Sequence, residues 1–313
     1  MNKLIKTFRQ ISKNDVSVAG GKGASLGEMT QAKLPVPSGF VVLASAYEQF
    51  IEETKIAPDI EAILKKTNHK DINSVNKASA EIHNLILSEE MPADLQTSIT
   101  AEFKKLKSPF VAVRSSATAE DSKVASWAGE LETYLNTTEK TLIGTVKKCW
   151  ASLCTPRAIF YRFEKRLHKT KVSVAVVVQT MAQSEIAGIC FTVHPVTKDR
   201  NQMVIEAGFG LGETIVGGLI TPDTYIIHKN TLSILETNIS RQKFMLVKTT
   251  KGNAQKKLSS RAGGRQKLSA KQIARLAKIC KAIEKHYACP QDIEWALYKG
   301  KFYILQSRPI TTL

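Results

Sequence analysis

The sequence contains no run of about 18 consecutive apolar residues, so it predicts no membrane-spanning helix. Its N-terminal residues, MNKLIKTFRQISKND, lack the apolar core of a secretion signal, and this absence favours a cytoplasmic location. The five cysteines include no CxxC pair and are odd in number, so neither a disulfide framework nor a zinc site is predicted. The chain also lacks GxxxxGK followed by Ser or Thr, which excludes a Walker-type phosphate loop.

The chain has no acidic residue over one long stretch. Between Thr237 and Ile283 it carries thirteen Lys and Arg but neither Asp nor Glu. The rest of the chain holds 32 basic and 28 acidic residues, so the net charge of +17 arises mainly from this segment, 237–283. A polyanion such as nucleic acid could dock there. A solvated basic insertion is the favoured alternative, because aromatic residues that would stack on bases are scarce in the segment.

What the sequence does contain is enough apolar residues for a substantial core. Hydrophobic residues make up 43% of its 313 residues, and this length exceeds that of an average domain, so two lobes are expected. The run VSVAVVV at residues 172–178 is rich in β-branched side chains and predicts a buried strand. Residues 52–108 are polar overall, with apolar residues that recur at helical spacing and predict helices. These patterns predict both helices and strands.

Two stretches in the first half combine a flexible backbone with a positive side chain. Residues 19–29, AGGKGASLGEM, predict a turn that opens a short helix, where glycines let backbone N–H groups approach a phosphate and Lys22 adds a mobile charge. The apolar run Phe110–Val113 predicts a buried strand that ends at Arg114, before a loop of small hydroxyl residues. A guanidinium there can bind phosphate through two parallel hydrogen bonds. On these residues alone, a plain turn and a surface arginine are equally good interpretations.

Two stretches near the C-terminus alternate polar and apolar residues on either side of a Lys-Gly turn, which predicts a β-hairpin. The period of two places Asp292 and Glu294 on one face of the first strand, and Gln306 and Arg308 on one face of the second. Carboxylate and amide oxygens on adjacent strands can hold Mg²⁺, and an arginine beside them can neutralise a phosphate. An ordinary amphipathic hairpin is the alternative.

Together these stretches resemble the ATP-binding domain of the dikinase family, which includes phosphoenolpyruvate synthase, pyruvate phosphate dikinase and rifampin phosphotransferase. Residues 113–136 are similar to the family signature VRSSATAED, FAGQ and TYLN, and residues 292–309 are similar to its DIEW and QxRP elements. The resemblance covers most of the chain and implies an α+β, ATP-grasp-like fold with two lobes that close on the nucleotide. Residues 1–183 would carry the Gly-rich and RSSATAED loops, and residues 184–313 would carry the hairpin and segment 237–283.

The same resemblance implies a set of residues that contact ATP. They are spread over the chain: Lys22, Arg114, Gln179, Met181, Thr192, Glu213, Glu294, Gln306 and Arg308. Within this set, Gln179 and Met181 match the adenine side of the family's site. Glu294 and Gln306 match its metal ligands, which implies Mg²⁺ as a cofactor beside ATP.

Three residues are implied to take part in the chemistry itself, namely Arg114, Asp292 and Arg308. In the family, ATP is cleaved to AMP, and its β-phosphoryl group passes to a histidine and then to pyruvate or another acceptor. That histidine belongs to a swivelling domain with a GGxTSHAA-like motif, which is missing from this sequence, and His194 is not expected to replace it. The resemblance therefore implies a partner: a histidine domain in another chain or in a missing segment.

The sequence leaves the final phosphoryl acceptor open. The segments GLGETIVGG and IEKHYACPQDIEW are closest to phosphoenolpyruvate synthase, while the nucleotide-binding half of a rifampin-phosphotransferase-like protein is an alternative. A non-catalytic ATP-sensing or polyanion-binding protein of the same fold is a further alternative. One departure from the family signature is Glu130, which stands where a glutamine is common. It would weaken phosphate binding if it faced the phosphates, and would have no such effect if it faced solvent.

Overall fold

The computed structural model describes residues 4–118, 132–164, 173–249 and 252–311 of the chain. Within these residues every strand pairing is antiparallel, and helices are interspersed with the strands along the sequence. None of the helices in this described part is both long enough and apolar enough to cross a membrane.

The chain divides into two compact units. The first comprises Met1–Gln31 and Ser38–Met181, and the second comprises Ala32–Pro37 and Ala182–Leu313. Each unit combines helices with an antiparallel sheet of its own, which confirms the predicted α+β class.

The first unit is built on a sheet of five strands over its described residues, in the order β1-β2-β5-β3-β4. The strands are β1 (Ile5–Thr7), β2 (Gly39–Val42), β3 (Val111–Ala117), β4 (Thr133–Thr137) and β5 (Val174–Thr180). The helices are α1 (Val16–Gln31), α2 (Ala44–Thr54), α3 (Ala57–Lys66), α4 (Ile72–Ser88), α5 (Ala93–Lys105), α6 (Glu139–Ala151) and α7 (Pro156–Glu164).

The alternation of side chains along β5 divides this sheet into two faces. Val176 and Val178 join the main hydrophobic core, where α6 contributes the fully buried Trp150. The Trp150 ring stacks at a tilt on Phe50 of α2, with the ring centroids 5.0 Å apart. Val177 lies on the opposite face, where α1 packs on the sheet. One face of the sheet therefore holds the core, and the other supports α1.

The second unit is built on a sheet of six strands over its described residues, in the order β13-β12-β6-β7-β8-β9, beside a separate pair β10-β11. The strands are β6 (Ile186–Phe191), β7 (Gln202–Phe209), β8 (Asp223–His228), β9 (Ile234–Asn238), β10 (Phe244–Thr249), β11 (Gly252–Lys257), β12 (Gln291–Tyr298) and β13 (Lys301–Pro309). The helices are α8 (Glu213–Val216), α9 (Ser260–Gly263) and α10 (Ala270–Tyr287).

Helix α10 closes one face of the six-stranded sheet. It begins with a capping box, in which Ser269 and Gln272 each satisfy a backbone N–H of the other. Its apolar side chains recur at helical spacing and are fully buried; they are Ile273, Leu276, Ala277, Cys280 and Ile283. Burial of each Ile or Leu contributes roughly 1.5–3 kcal/mol. The other face of the sheet carries apolar side chains of β6, namely Ile189 and Phe191, together with polar side chains of β12.

Candidate functional site

The Gly-rich stretch in the first unit forms a tight turn that is fixed by Ser116. Helix α1 is kinked at Gly20, which has a φ of +69°, and a Cβ at this position would collide with Ser116. The Ser116 hydroxyl donates a hydrogen bond to the Ala19 carbonyl (2.9 Å) and accepts one from the Gly23 N–H (3.2 Å). These contacts hold the turn that carries Lys22 against β3. Sequence reasoning did not single out Ser116, although its place two residues after Arg114 in an alternating strand was a usable signal.

Arg114 lies within a strand rather than in a loop. The predicted strand was expected to end at this residue, but β3 continues to Ala117 because its backbone pairs with β5 as far as Val174. The Arg114 side chain is only 7% exposed, so the interpretation as a surface arginine is wrong. By alternation, Arg114 shares its face of the sheet with Ser116, the face on which the Gly-rich turn packs. The structure thus brings Arg114 and Lys22 to the same side of this unit.

Gln179 lies on that same face, at the far end of β5. It sits between Gly39 of β2 and Ala112 of β3 and is 2% exposed. Its Nε2 atom is buried without a hydrogen-bond partner among the described residues. A buried amide donor without a partner is costly, so this atom fits a ligand acceptor. Two residues further on, the Met181 N–H donates to the Phe110 carbonyl (3.1 Å) at the end of the sheet.

The predicted hairpin is confirmed as β12 and β13, and its four polar residues form two directly opposed pairs. Asp292 lies opposite Arg308, and Glu294 lies opposite Gln306. The Arg308 Nε and Nη2 atoms both donate to the Asp292 Oδ2 atom, at 2.9 and 2.8 Å. Because opposed residues share a face, all four side chains lie on the side of the sheet away from α10. The register shifts just after Glu294, which ends this regular pairing.

A further carboxylate, Glu206 of β7, lies on the same face as the hairpin pairs. Across the sheet, Glu294 pairs with Ile189 of β6, which in turn pairs with Glu206. Burial raises the pKa of Glu206, and the nearby charge of Asp292 raises it further. Burial also raises the pKa of Asp292; the Arg308 guanidinium opposes that shift, and Glu294 adds to it. This face therefore concentrates negative charge that a cation would neutralise.

Thr192 is fully buried beside the start of the hairpin. Its hydroxyl accepts a hydrogen bond from the Gln291 N–H (2.8 Å), and its own N–H donates to the Gln291 carbonyl (2.9 Å). These bonds tie the end of β6 to the residue that precedes Asp292. The structure thus shows Thr192 in a supporting position, while its predicted contact with ATP stays a prediction.

Glu213 opens helix α8 just beyond the end of β7. Its carboxylate is half-buried, and this burial raises its pKa. The Asn253 side chain of β11 donates a hydrogen bond to the Glu213 Oε2 atom (3.1 Å) and partly opposes the shift. Glu213 therefore lies outside the hairpin β12-β13 and contacts segment 237–283.

The donor set of the hairpin fits Mg²⁺ with few protein ligands. In the described ranges, no three His, Cys, Asp or Glu side chains are grouped so that they could hold a metal ion. Glu294 and Gln306 instead offer one carboxylate and one amide oxygen from directly opposed positions. Mg²⁺ binds hard oxygen ligands and commonly takes one or two from protein, with water and substrate phosphates as the rest. These two residues would hold it in that manner.

Segment 237–283 is not a single solvated insertion. It contains the end of β9, the pair β10-β11, α9 and most of α10. Within it, the side chain of Lys267 is fully buried and pairs with Asp223 of β8, with the Nζ and Oδ1 atoms 2.7 Å apart. The Lys267 N–H also donates to the Asp223 Oδ2 atom (2.9 Å). The interpretation as a solvated insertion is therefore wrong for the part around Lys267.

Part of the predicted site lies outside the described residues. Residues 119–131 contain the last three residues of the RSSATAED signature and Glu130, so the orientation of Glu130 stays untested. The described residues bring together two groups of predicted site residues, one in each unit. In the first unit, Arg114 and Gln179 share one sheet face, and the turn that carries Lys22 packs on that face through Ser116. In the second unit, the four hairpin residues share a face, whereas Thr192 follows β6 and Glu213 opens α8, both outside that group.

The chain is similar to known proteins over almost its whole length. The family described as "Pyruvate phosphate dikinase, AMP/ATP-binding domain" matches residues 16–313. A protein of Methanocaldococcus jannaschii named "Probable phosphoenolpyruvate synthase" is 47% identical over 319 residues, which cover 99% of this chain and 27% of that protein. The "Phosphoenolpyruvate synthase" of Pyrococcus furiosus is 42% identical over 359 residues, covering 99% of this chain and 44% of that protein.

A relative with a different name matches equally far along the chain. The "Rifampicin phosphotransferase" of Bacillus cereus is 38% identical over 317 residues, which cover 100% of this chain and 36% of that protein. The chain thus spans less than half the length of each of these three relatives.

Proposed function

Because the chain belongs to the pyruvate phosphate dikinase AMP/ATP-binding domain family, we propose that it is the nucleotide-binding module of a dikinase-type phosphotransferase. In this proposal it binds ATP with Mg²⁺ and directs its cleavage to AMP, with the β-phosphoryl group passing to a histidine and the γ-phosphoryl group passing to water and leaving as inorganic phosphate. The observation that carries the proposal is the arrangement of the hairpin, in which Asp292 lies opposite Arg308 and holds it by hydrogen bonds, and Glu294 lies opposite Gln306. Because ATP is a substrate found in the cytoplasm, we favour a cytoplasmic location for this protein.

The hairpin residues would handle the phosphates. Mg²⁺, when bound at Glu294 and Gln306, would supply charge that neutralises the phosphate oxygens. Asp292 holds the Arg308 guanidinium through two hydrogen bonds to one carboxylate oxygen. An arginine fixed in this way can stabilise the charge of a transferring phosphoryl group without reorganising. Asp292 would act by orienting Arg308.

The first unit would supply further positive charge and the contacts to the base. Lys22, on the turn held by Ser116, and the buried Arg114 would neutralise phosphate oxygens. The buried Nε2 donor of Gln179 would pair with an acceptor on the adenine, with Met181 beside it. Thr192 and Glu213 would complete the contacts to the nucleotide.

We further propose that the two units are the two lobes of an ATP-grasp-like fold. Each unit carries its own group of site residues, which supports this assignment. The phosphoacceptor histidine would belong to a domain outside this chain, because the named relatives are more than twice its length. Pyruvate is the favoured final acceptor, since the two phosphoenolpyruvate synthases named above, at 47% and 42% identity, are more similar to this chain than the rifampicin phosphotransferase, at 38%. The antibiotic acceptor of a rifampicin phosphotransferase is the alternative.

The test is formation of AMP from ATP by this chain with a histidine domain from a phosphoenolpyruvate synthase added separately. We expect AMP only when Mg²⁺ and the added domain are both present, and a loss of at least 100-fold in Glu294→Ala. The matched control is Glu236→Ala, which removes an exposed carboxylate from β9. ATP binding without AMP under every condition would favour the ATP-sensing alternative, and absence of ATP binding would overturn the proposal.

A second candidate function, polyanion binding, is favoured by one observation. Lys271, Lys278 and Lys285 are exposed on α10, seven residues apart, and so lie along one side of the helix. Because phosphate contacts release counterions, this surface would bind duplex DNA with a strong dependence on salt. The double variant Lys271→Glu and Lys278→Glu should then weaken binding at least tenfold at low salt. Unchanged binding would remove this candidate.

A further inference from the structure

The turn at the end of β7 connects the sheet to Glu213. The strand ends at Phe209, Gly210 follows with a φ of +89°, and α8 begins at Glu213. A φ in this region favours glycine because other side chains are strained there. The backbone conformation between Phe209 and Glu213 therefore determines where the Glu213 carboxylate lies.

The buried side chain of Gln242, in segment 237–283, holds the start of this turn. Gln242 is 2% exposed, and its Oε1 atom accepts a hydrogen bond from the Phe209 N–H (2.8 Å). Its Nε2 atom donates to the Phe209 carbonyl (2.9 Å) and to the Phe244 carbonyl (2.8 Å). The amide of Gln242 thus satisfies both backbone groups of Phe209, as a neighbouring strand would.

The hairpin β10-β11 holds the middle and the end of the turn. The Leu246 carbonyl accepts a hydrogen bond from the Leu211 N–H (3.0 Å). This approach is so close that a Cβ on Gly210 would lie 2.5 Å from the Leu246 carbonyl oxygen. Further along, the Asn253 amide donates to the Glu213 carboxylate (3.1 Å). Alternate residues of the turn are therefore each bonded to the segment.

The buried Asp223–Lys267 pair anchors the segment itself. Besides its contact with Asp223, the Lys267 Nζ atom donates to the Gly263 carbonyl (3.2 Å). The Gly263 carbonyl also accepts a hydrogen bond from the Gln242 N–H (3.0 Å). Gln242 is thus fixed to β8 through a short chain of contacts, all of them in the second unit.

We propose that Gln242, together with Leu246 and Asn253, is a positioning element for the turn Phe209–Glu213. Segment 237–283 then contributes to nucleotide binding through its structure, because its contacts determine where Glu213 lies relative to the nucleotide. The part of this inference that concerns ATP rests on the proposed function. The part that concerns the turn does not.

The variant Gln242→Met tests both parts, because it keeps the length of the side chain and removes its hydrogen bonds. We expect amide hydrogen exchange at Leu211 to become about tenfold faster and ATP to bind about tenfold more weakly, because the turn loses the side-chain hydrogen bonds of Gln242. The matched control is Gln255→Met, an exposed change on β11, which should alter neither quantity. Asn253→Ala, an exposed change, should weaken ATP binding about threefold and serves if Gln242→Met does not fold.

The outcomes separate the two parts. Equal exchange at Leu211 in Gln242→Met and Gln255→Met would overturn the positioning of the turn, whether or not ATP binds. Faster exchange with unchanged ATP affinity in Gln242→Met and Asn253→Ala would overturn its importance for the nucleotide. If the unmodified chain does not bind ATP, the proposed function fails, and the exchange measurement still decides the role of Gln242.

Discussion

Gln179 combines two properties that rarely occur together in a side chain with a purely structural role. It is almost fully buried, yet its Nε2 atom has no hydrogen-bond partner among the described residues. An unsatisfied buried donor costs roughly 1–3 kcal/mol. Retention of an amide at this position is understandable if a ligand supplies the missing acceptor. The sequence pointed to Gln179 only through the family resemblance, because a glutamine at the end of a valine-rich strand has no signal of its own.

We therefore predict opposite effects of Gln179→Leu on stability and on binding. The free energy of unfolding of the ligand-free chain should stay equal or rise by about 1 kcal/mol, because an unsatisfied donor is removed. ATP affinity should fall about tenfold, because the contact to the base is lost. Urea unfolding and calorimetric titration measure the two quantities. Gln96→Leu, on the exposed side of α5, is the control, and a loss of stability in Gln179→Leu without a loss of affinity would contradict the prediction.

A pH dependence is expected from Glu206. Burial and the charge of Asp292 raise its pKa above the usual value of 4.5, so the folded chain holds this proton to a higher pH than the unfolded chain does. Stability from this group is therefore lost as the pH rises from about 4.5 through the raised pKa. Glu206→Gln should match the unmodified chain at pH 4 and exceed it at pH 7 by about 0.5 kcal/mol, since the group is partly solvated.

Urea unfolding at the two pH values measures this difference. Glu236→Gln, an exposed change on β9, should give no pH-dependent difference. If Glu206→Gln were less stable than the unmodified chain at pH 7, Glu206 would make favourable contacts that outweigh its burial, and the electrostatic argument would be wrong.

The secondary-structure elements show where sequence patterns suffice and where they do not. The hairpin β12-β13 was predicted correctly because polar and apolar residues alternate over part of each strand and its turn contains Gly300, both of which are local signals. Strand β3 was predicted to end too early. Its extension to Ala117 depends on pairing with β5, which is distant in the sequence. Tertiary pairing, rather than local preference, determined the positions of Arg114 and Ser116.

Segment 237–283 shows that burial of a charged side chain also depends on contacts that local sequence patterns do not reveal. Its composition suggested a solvated insertion, since charged side chains are seldom buried. The partner that permits burial of Lys267 is Asp223, which lies outside the segment and cannot be matched to it from spacing. Likewise, nothing in the sequence marks Gln242 as the side chain that binds Phe209. Contacts between distant residues thus account for most of what the sequence did not predict in the second unit.

The Gly-rich turn of α1 allows a direct comparison of two glycines. Gly20 has a positive φ, and a Cβ there would collide with Ser116, whereas Gly144 lies inside α6 with open space around it. Gly20→Ala should lower the free energy of unfolding by at least about 2 kcal/mol, from backbone strain and displacement of the turn. Gly144→Ala should raise it by roughly 0.5–1 kcal/mol through helix propensity. Similar effects of both substitutions on urea unfolding would contradict the assigned role of the turn.

For the molecule as a whole, the proposed function requires that Mg²⁺ and ATP stabilise the chain together. The hairpin offers a metal one carboxylate and one amide, so metal binding should depend on phosphates that complete the coordination. At ATP concentrations about 100 times the dissociation constant, the stabilisation should be about 2.7 kcal/mol. Removal of Mg²⁺ by a chelator should abolish most of it, and Mg²⁺ alone should have little effect.

Thermal unfolding with ATP, with Mg²⁺ and with both measures this coupling. Glu294→Gln should leave the stability of the ligand-free chain unchanged but lose the additional stabilisation that Mg²⁺ gives in the presence of ATP. The control Glu236→Gln should retain this additional stabilisation. A stabilisation by ATP that is the same with and without Mg²⁺, and the same in Glu294→Gln, would mean that the nucleotide binds without the hairpin. The opposed pairs of β12 and β13 would then be an ordinary strand pairing, and the phosphotransferase proposal would lose the observation on which it rests.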